Sequence, residues 1–160
     1  MTARARNDEG FTLVETVAIV AIMGVGSAIA VSGFSSYANS AEHTGTRDGV
    51  VSALRAANQR ALSEAATYCV RFAADGASWS TFRGTCDTGS VVKGPELVGG
   101  KQVSVTAVDF LRPDGTSGSR DVLFTARGTA SKGSLTVVRS DTSKTYTVSV
   151  EGLTARVSAS

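Results

Sequence analysis

The stretch GFTLVETVAIVAIMG, Gly10 to Gly24, is an apolar run with a single carboxylate, Glu15, near its start. A full negative charge in so apolar a segment needs a physical reason. From Thr16 to Ser40 there is no charged residue, and Phe11 to Val31 makes 21 residues of predominantly apolar character. About 20 such residues cross a hydrocarbon core of roughly 30 Å, so the run predicts a membrane-spanning helix. Ahead of it lies MTARARNDEG, a polar leader whose Arg4 and Arg6 favour the cytoplasmic side, although Asp8 and Glu9 dilute that bias.

Three readings of this N-terminus compete. A secretory signal peptide has an apolar stretch of about 7 to 15 residues followed by a small-residue cleavage site; here the run is longer and holds a carboxylate. A plain signal anchor accounts for the length but leaves Glu15 as a cost of about 2.5 to 3.5 kcal/mol at the bilayer centre, less near the interface. The third reading comes from the hexad Gly10-Phe11-Thr12-Leu13-Val14-Glu15 followed by the apolar run. It resembles the class III signal of type IV pilins and type II secretion pseudopilins.

That resemblance implies a membrane peptidase that cuts after Gly10 on the cytoplasmic side and N-methylates Phe11, so prepilin peptidase/methyltransferase would be a partner. The mature chain would begin at Phe11. Glycine lacks a Cβ, which lets a peptidase approach an extended backbone closely. Cleavage creates an ammonium on Phe11, and an unpaired charge in hydrocarbon is far costlier than a paired one. The family pairs the Glu15 carboxylate with this amine on a neighbouring subunit, which makes Glu15 an assembly residue and other pilin or pseudopilin subunits its partners. Tip subunits of the family often lack the carboxylate, so Glu15 favours a subunit that docks below another. The chain departs from the family where many members carry a proline: it reads Ala30-Val31-Ser32-Gly33-Phe34, and Gly24, Gly26 and Gly33 are left to supply local softness.

Beyond the membrane segment the helical period continues. Val50, Leu54, Ala57, Ala61 and Ala65, with Val51 and Leu62 beside them, predict an amphipathic helix with one covered face. Gly45 and Gly49 leave open whether it joins the membrane helix or follows a linker. From Thr67 the grammar changes to short strands: 67–72, a turn at Asp75-Gly76, 79–82, 91–92, 103–110, 122–125, 134–139, 146–150 and 155–157, separated by turn residues. The expected domains are a leader (1–10), a transmembrane helix half (11–38), an amphipathic helix half (39–66) and a β-rich head (67–160). The fold class is α+β, a long N-terminal membrane-spanning helix packed on a C-terminal antiparallel sheet or sandwich, and it is similar to the pilin fold. Within the head, Leu123 to Thr129, Leu135 to Val138 and Tyr146 to Val157 look like the GspH/FimT group of minor pilins and pseudopilins.

The resemblance places the head outside the cytoplasm, in the inner membrane first and then in an extracytoplasmic filament. Thiols oxidise there, so Cys69 and Cys86 are expected as a disulfide tying the first hairpin, with two buried thiols as the alternative. Neither cysteine has metal-ligand spacing or histidine company, and no metal or cofactor is expected. Catalysis finds little support. His43 is the single histidine and reads as a solvated helix residue, and the serines lack a base to activate them. A net charge of +2 announces no polyanion, so nucleic acid is possible as a partner but unsupported, through an exposed aromatic beside Arg71 or Arg83. The reading is a non-enzymatic subunit, a minor pilin or pseudopilin precursor. Its rival is a membrane-tethered binding module whose head recognises DNA, a surface or an exported protein.

Overall fold

The computed structural model describes residues 12–142 and 144–160, and within its first helix the side chains of 30–36 lie outside the description. One helix, α1 (Leu13–Ser63), precedes eight strands: β1 (Tyr68–Phe72), β2 (Ser78–Arg83), β3 (Ser90–Leu97), β4 (Val103–Phe110), β5 (Asp121–Phe124), β6 (Gly133–Arg139), β7 (Thr145–Val150) and β8 (Val157–Ala159). The chain divides into two units, the second beginning at Asn39. Gly45 and Gly49 both lie inside α1, so no linker separates a second helix.

In the first unit the helix starts where its capping chemistry allows. The Glu15 amide donates to the Thr12 carbonyl at 3.0 Å and to its hydroxyl at 3.3 Å, which satisfies one of the amides that every helix start leaves orphaned. From Leu13 to Ile29 every side chain is exposed, Leu13 by 80% and Ile22 by 73%. Among the described residues no helix is long and apolar enough to cross a membrane. The expected span also takes in Phe11, which lies outside the described residues, and residues 30–36, whose side chains do.

In the second unit the period-3.6 pattern of α1 does its expected work. Val50, Val51, Leu54, Ala57 and Ala61 are buried against Tyr68, Val70, Phe72 and Trp79 from one sheet and Val105, Leu135, Val137 and Val148 from another. Leu62 and Ala65 depart from the expectation: Leu62 is 52% exposed, and Ala65 is exposed beyond the helix end. The helix stops at Ser63 because Ala65 takes a left-handed φ of 48° and the Ala66 amide turns back to the Ala61 carbonyl at 3.2 Å, closing a Schellman-type C-cap.

The two sheets are antiparallel, with strand orders β3-β2-β1-β5 and β4-β6-β7-β8. Alternation along β1 sends Tyr68, Val70 and Phe72 to the core and Cys69 and Arg71 to the outer face, as a period of two requires. Two strand expectations shift. β3 runs from Ser90 through Gly94-Pro95 to Leu97 where a strand at 91–92 was expected, because it is an edge strand, and edges tolerate proline and bulges. β8 lies at Val157–Ala159 instead of 155–157, because Ala155 takes a left-handed φ of 49° and turns the chain there.

His43 corrects a second expectation. It is 2% exposed, not solvated; its ring centroid lies 4.6 Å from that of Tyr146, and its Nε2 is 3.1 Å from the Val137 carbonyl. A carbonyl only accepts, so Nε2 carries the proton and donates. The stretch that looked least periodic thus holds a polar residue whose hydrogen bond is satisfied inside the core.

Candidate assembly site and the head that carries it

The candidate site begins at the first turn of α1. Glu15 is exposed there among apolar neighbours that are exposed too, Leu13, Val14 and Val17 beside it and Ile19, Val20 and Ile22 in the next turn. A helix apolar on all sides is stable only when something covers it, whether lipid or other helices. Gly10 and Phe11, the expected cleavage and methylation residues, lie outside the described residues. What the structure places is therefore the carboxylate and the apolar surface around it.

Within the second unit, the part of α1 from Asn39 onward is held to the strands and loops by polar contacts. The Arg55 guanidinium donates to the Val157 carbonyl at 3.2 Å, and the Gly99 amide donates to the Thr46 hydroxyl at 3.1 Å. Arg139, buried in the head, donates to the Ser40 hydroxyl at 2.7 Å. Sequence reading missed these anchors, because nothing in the chain's periodicity marks which arginines turn inward.

On the outer face of β1, Cys69 and Cys86 are joined, with Cα atoms 5.4 Å apart. Arg71 lies two residues along the same strand and grips Asp121 with two parallel bonds, Nε to Oδ1 at 2.8 Å and Nη2 to Oδ2 at 2.6 Å. It also reaches Asp87 at 2.6 Å, in the loop that Cys86 closes. Hydrogen bonding to Asp121, and then to Asp87, raises the Arg71 pKa above its ordinary value and holds it charged. The Asp121 carboxylate lies within 4.8 Å of both sulfurs. Those sulfurs are bonded to each other and Asp121 is held by Arg71, so the cluster has no ligand set to offer a metal.

Arg83, the other cation considered for nucleic acid, pairs with Glu64 at 3.3 Å. The aromatics near these arginines are not free platforms: Tyr68 and Trp79 are buried and Phe82 is half-buried. Arg83 ends β2 and Arg127 lies in a turn, and the glycine that follows each, Gly84 at φ 101° and Gly128 at φ 78°, takes a left-handed backbone.

A capped apolar helix with an exposed acid, feeding into two antiparallel sheets, is the build of a filament subunit of the pilin class. The sequence matches the family described as Type II transport protein GspH over residues 47–154, 108 of its 160, and the prokaryotic N-terminal methylation motif over residues 5–31. The chain belongs to the GspH family. Two solved structures share the fold. The minor pilin FimU of Pseudomonas aeruginosa is 15% identical, with a TM-score of 0.55 over 78% of this chain and 92% of that one. The minor pseudopilin EpsH of the Vibrio cholerae type 2 secretion system is 12% identical, with a TM-score of 0.55 over 74% of this chain and 95% of that one. At such identity these likenesses speak for the fold. No curated protein matches the sequence. Family and motif make the chain a minor pilin or pseudopilin subunit, and both family and fold are those of structural subunits.

Proposed function

We propose that the chain is made as a precursor, cut by prepilin peptidase between Gly10 and Phe11 and N-methylated on Phe11. The 11–38 segment then anchors it in the cytoplasmic membrane with residues 67–160 exported, and the helix carries it into a type IV pilus or a type II secretion pseudopilus. Within the filament the Glu15 carboxylate pairs with the Phe11 amine of a neighbouring subunit, and Cys69 and Cys86 stay oxidised outside the cytoplasm. The observation that carries this reading is the methylation motif over residues 5–31 joined to a helix start, Leu13 to Ile29, whose one acid, Glu15, is exposed among uncovered apolar side chains. A charge so placed gains most when a cation arrives with the surface that covers it.

The test is mass spectrometry of the envelope protein together with Glu15→Ala. The mature chain is expected to begin at methylated Phe11, and the variant is expected to be processed normally yet to lose most of its incorporation into filaments. An N-terminus at Met1, or full incorporation of the variant, sinks the proposal. The rival reading, a tethered module for DNA, gains no support from Arg71 and Arg83, since carboxylates already occupy both.

A further inference from the structure

The outer face of the second sheet, β4-β6-β7-β8, carries a pattern that assembly through the helix does not use. Alternation along β6 and β7 sends Leu135, Val137, Val148 and Val150 into the core, so the residues between them face away from it. The register aligns those outward residues into rows. Thr106, Thr136 and Thr147 stand opposite one another on β4, β6 and β7. One step along, Ser134, Ser149 and Ser158 do the same on β6, β7 and β8. A third row, on the other side of the threonines, reads Ser104, Val138 and Thr145. Hydroxyls therefore repeat about every 4.8 Å across the strands and about every 6.8 Å along them. Every residue of the three rows is half-buried or exposed, and α1 from Asn39 onward packs on the opposite face.

The need for a polar surface does not by itself produce this face. Charged residues make up 19% of the chain, and the other sheet uses them freely: Arg71 and Asp121 on its outer face, Lys93 and Glu96 on its edge strand. The three rows hold no charge and no aromatic ring. Asp109, the next acid along β4, lies past the register shift that follows Thr106, and it accepts from the Gly118 amide at 2.6 Å. Such neutrality excludes partners by class. Nucleic acid is held through lysine and arginine, and a membrane surface through a basic or broadly apolar face. Protein interfaces centre on aromatic, apolar and arginine anchors, with serine depleted. What a neutral array of hydroxyls matches is a neutral polymer that is itself an array of hydroxyls. Each hydroxyl both donates and accepts, so a serine or threonine can meet a sugar hydroxyl in either sense. Within the face, the Ser149 and Ser158 hydroxyls lie 2.9 Å apart and the Thr106 hydroxyl donates to the Thr136 carbonyl at 3.5 Å, which orients these groups and leaves them lone pairs to accept with.

We propose that this face binds a neutral glycan chain laid across β4, β6 and β7. The threonine row meets the sugar hydroxyls, the serine row lines one flank, and the threonine methyls with Val138 meet the C–H faces of the rings. Because neither side carries charge, the contact is insensitive to ionic strength. Neither Glu15 nor Phe11 takes part, so this inference goes beyond the assembly reading, and each can fail without the other.

The experiment uses the full-length ¹⁵N-labelled chain in micelles of a detergent without a sugar headgroup, titrated with cellohexaose and with the hexamer of N-acetylglucosamine. At least one is expected to bind with a dissociation constant of about 1 mM or tighter, shifting the amides of Thr136, Thr147 and Ser149. The shifts should persist at about 1 M salt, where the screening length falls to about 3 Å. Thr136→Val with Thr147→Val keeps the side-chain shape and the preference for strand. That double variant is expected to bind at least about fivefold more weakly, the scale of one lost hydrogen bond, while melting at or above the temperature of the parent chain. Thr147→Ser, which keeps the hydroxyl, should bind within about twofold of the parent. The proposal is overturned if neither hexamer shifts these amides at about 5 mM, if salt abolishes the shifts, or if the double valine variant binds like the parent. A DNA duplex or an anionic lipid vesicle that shifts the same amides in place of the sugars overturns it too.

Discussion

Breaking the Cys69–Cys86 bond tests how the head is held together, and its effect can be worked from the chain. The two cysteines are 17 residues apart in sequence. In the loop-entropy account, joining such a pair removes freedom from the unfolded chain equivalent to roughly 3 kcal/mol at 25 °C. The native side adds to this, because the closed loop holds Asp87 against Arg71, which also carries Asp121. Asp87 is largely exposed, so its pair contributes at most about 1 kcal/mol. Urea unfolding followed by tryptophan fluorescence has a suitable probe in Trp79, the single tryptophan, which is buried in the head. The reduced parent chain should lose about 3 kcal/mol relative to the oxidised one, with the slope of the transition steeper because the unfolded chain exposes more surface. Cys69→Ala with Cys86→Ala should lose at least as much, since the Cys69 side chain is fully buried. A loss below about 1 kcal/mol in both would refute the reasoning and show that Arg71, Asp121 and the strand pairing hold the hairpin without the bond.

Other expectations follow from single sites. Leu54→Ala removes a fully buried side chain that joins α1 to the core, and the head should lose about 2 to 5 kcal/mol in the same assay. Ala65→Gly relieves a left-handed alanine at the C-cap of α1 and should raise stability by about 0.5 to 1 kcal/mol; a loss would show that the cap is not strained. Tyr68 should ionise above the ordinary tyrosine range in a spectrophotometric titration. Hydrogen bonding to the Glu64 carboxylate, with burial second, pushes its phenol above the ordinary value. A raised folded pKa means that the contribution is fully present below the unfolded value of about 10 and is lost as pH climbs through the folded one. Glu64→Gln should bring the Tyr68 transition down.

The sequence carried the strands well because alternation and turn chemistry are local. Val103 to Phe110 shows both, and β4 spans those residues. The covered face of α1 was legible for the same reason, since Val50, Leu54, Ala57 and Ala61 share a period. What stayed hidden depends on partners distant in sequence. His43 looked solvated because its neighbours in the chain are polar, yet Val137 and Tyr146 arrive from β6 and β7 to enclose it. The length of β3 was hidden by Gly94 and Pro95, which break a central strand but not an edge. Of the candidate site, Glu15 and the apolar run were legible at once, since charge and hydropathy need no partner to be read.

Pro95 has a last consequence in the behaviour of unassembled subunits. An exposed sheet edge is a template on which another chain can add a strand, and proteins stored at high density have to deny that route. β3 is such an edge, and it carries a residue without an amide hydrogen at Pro95, a cation at Lys93 and two register slips. Heads that meet in the envelope thus find no continuous ladder to extend along this side. Under the assembly proposed above, ordered growth falls to the helix with its Glu15 and not to strand addition.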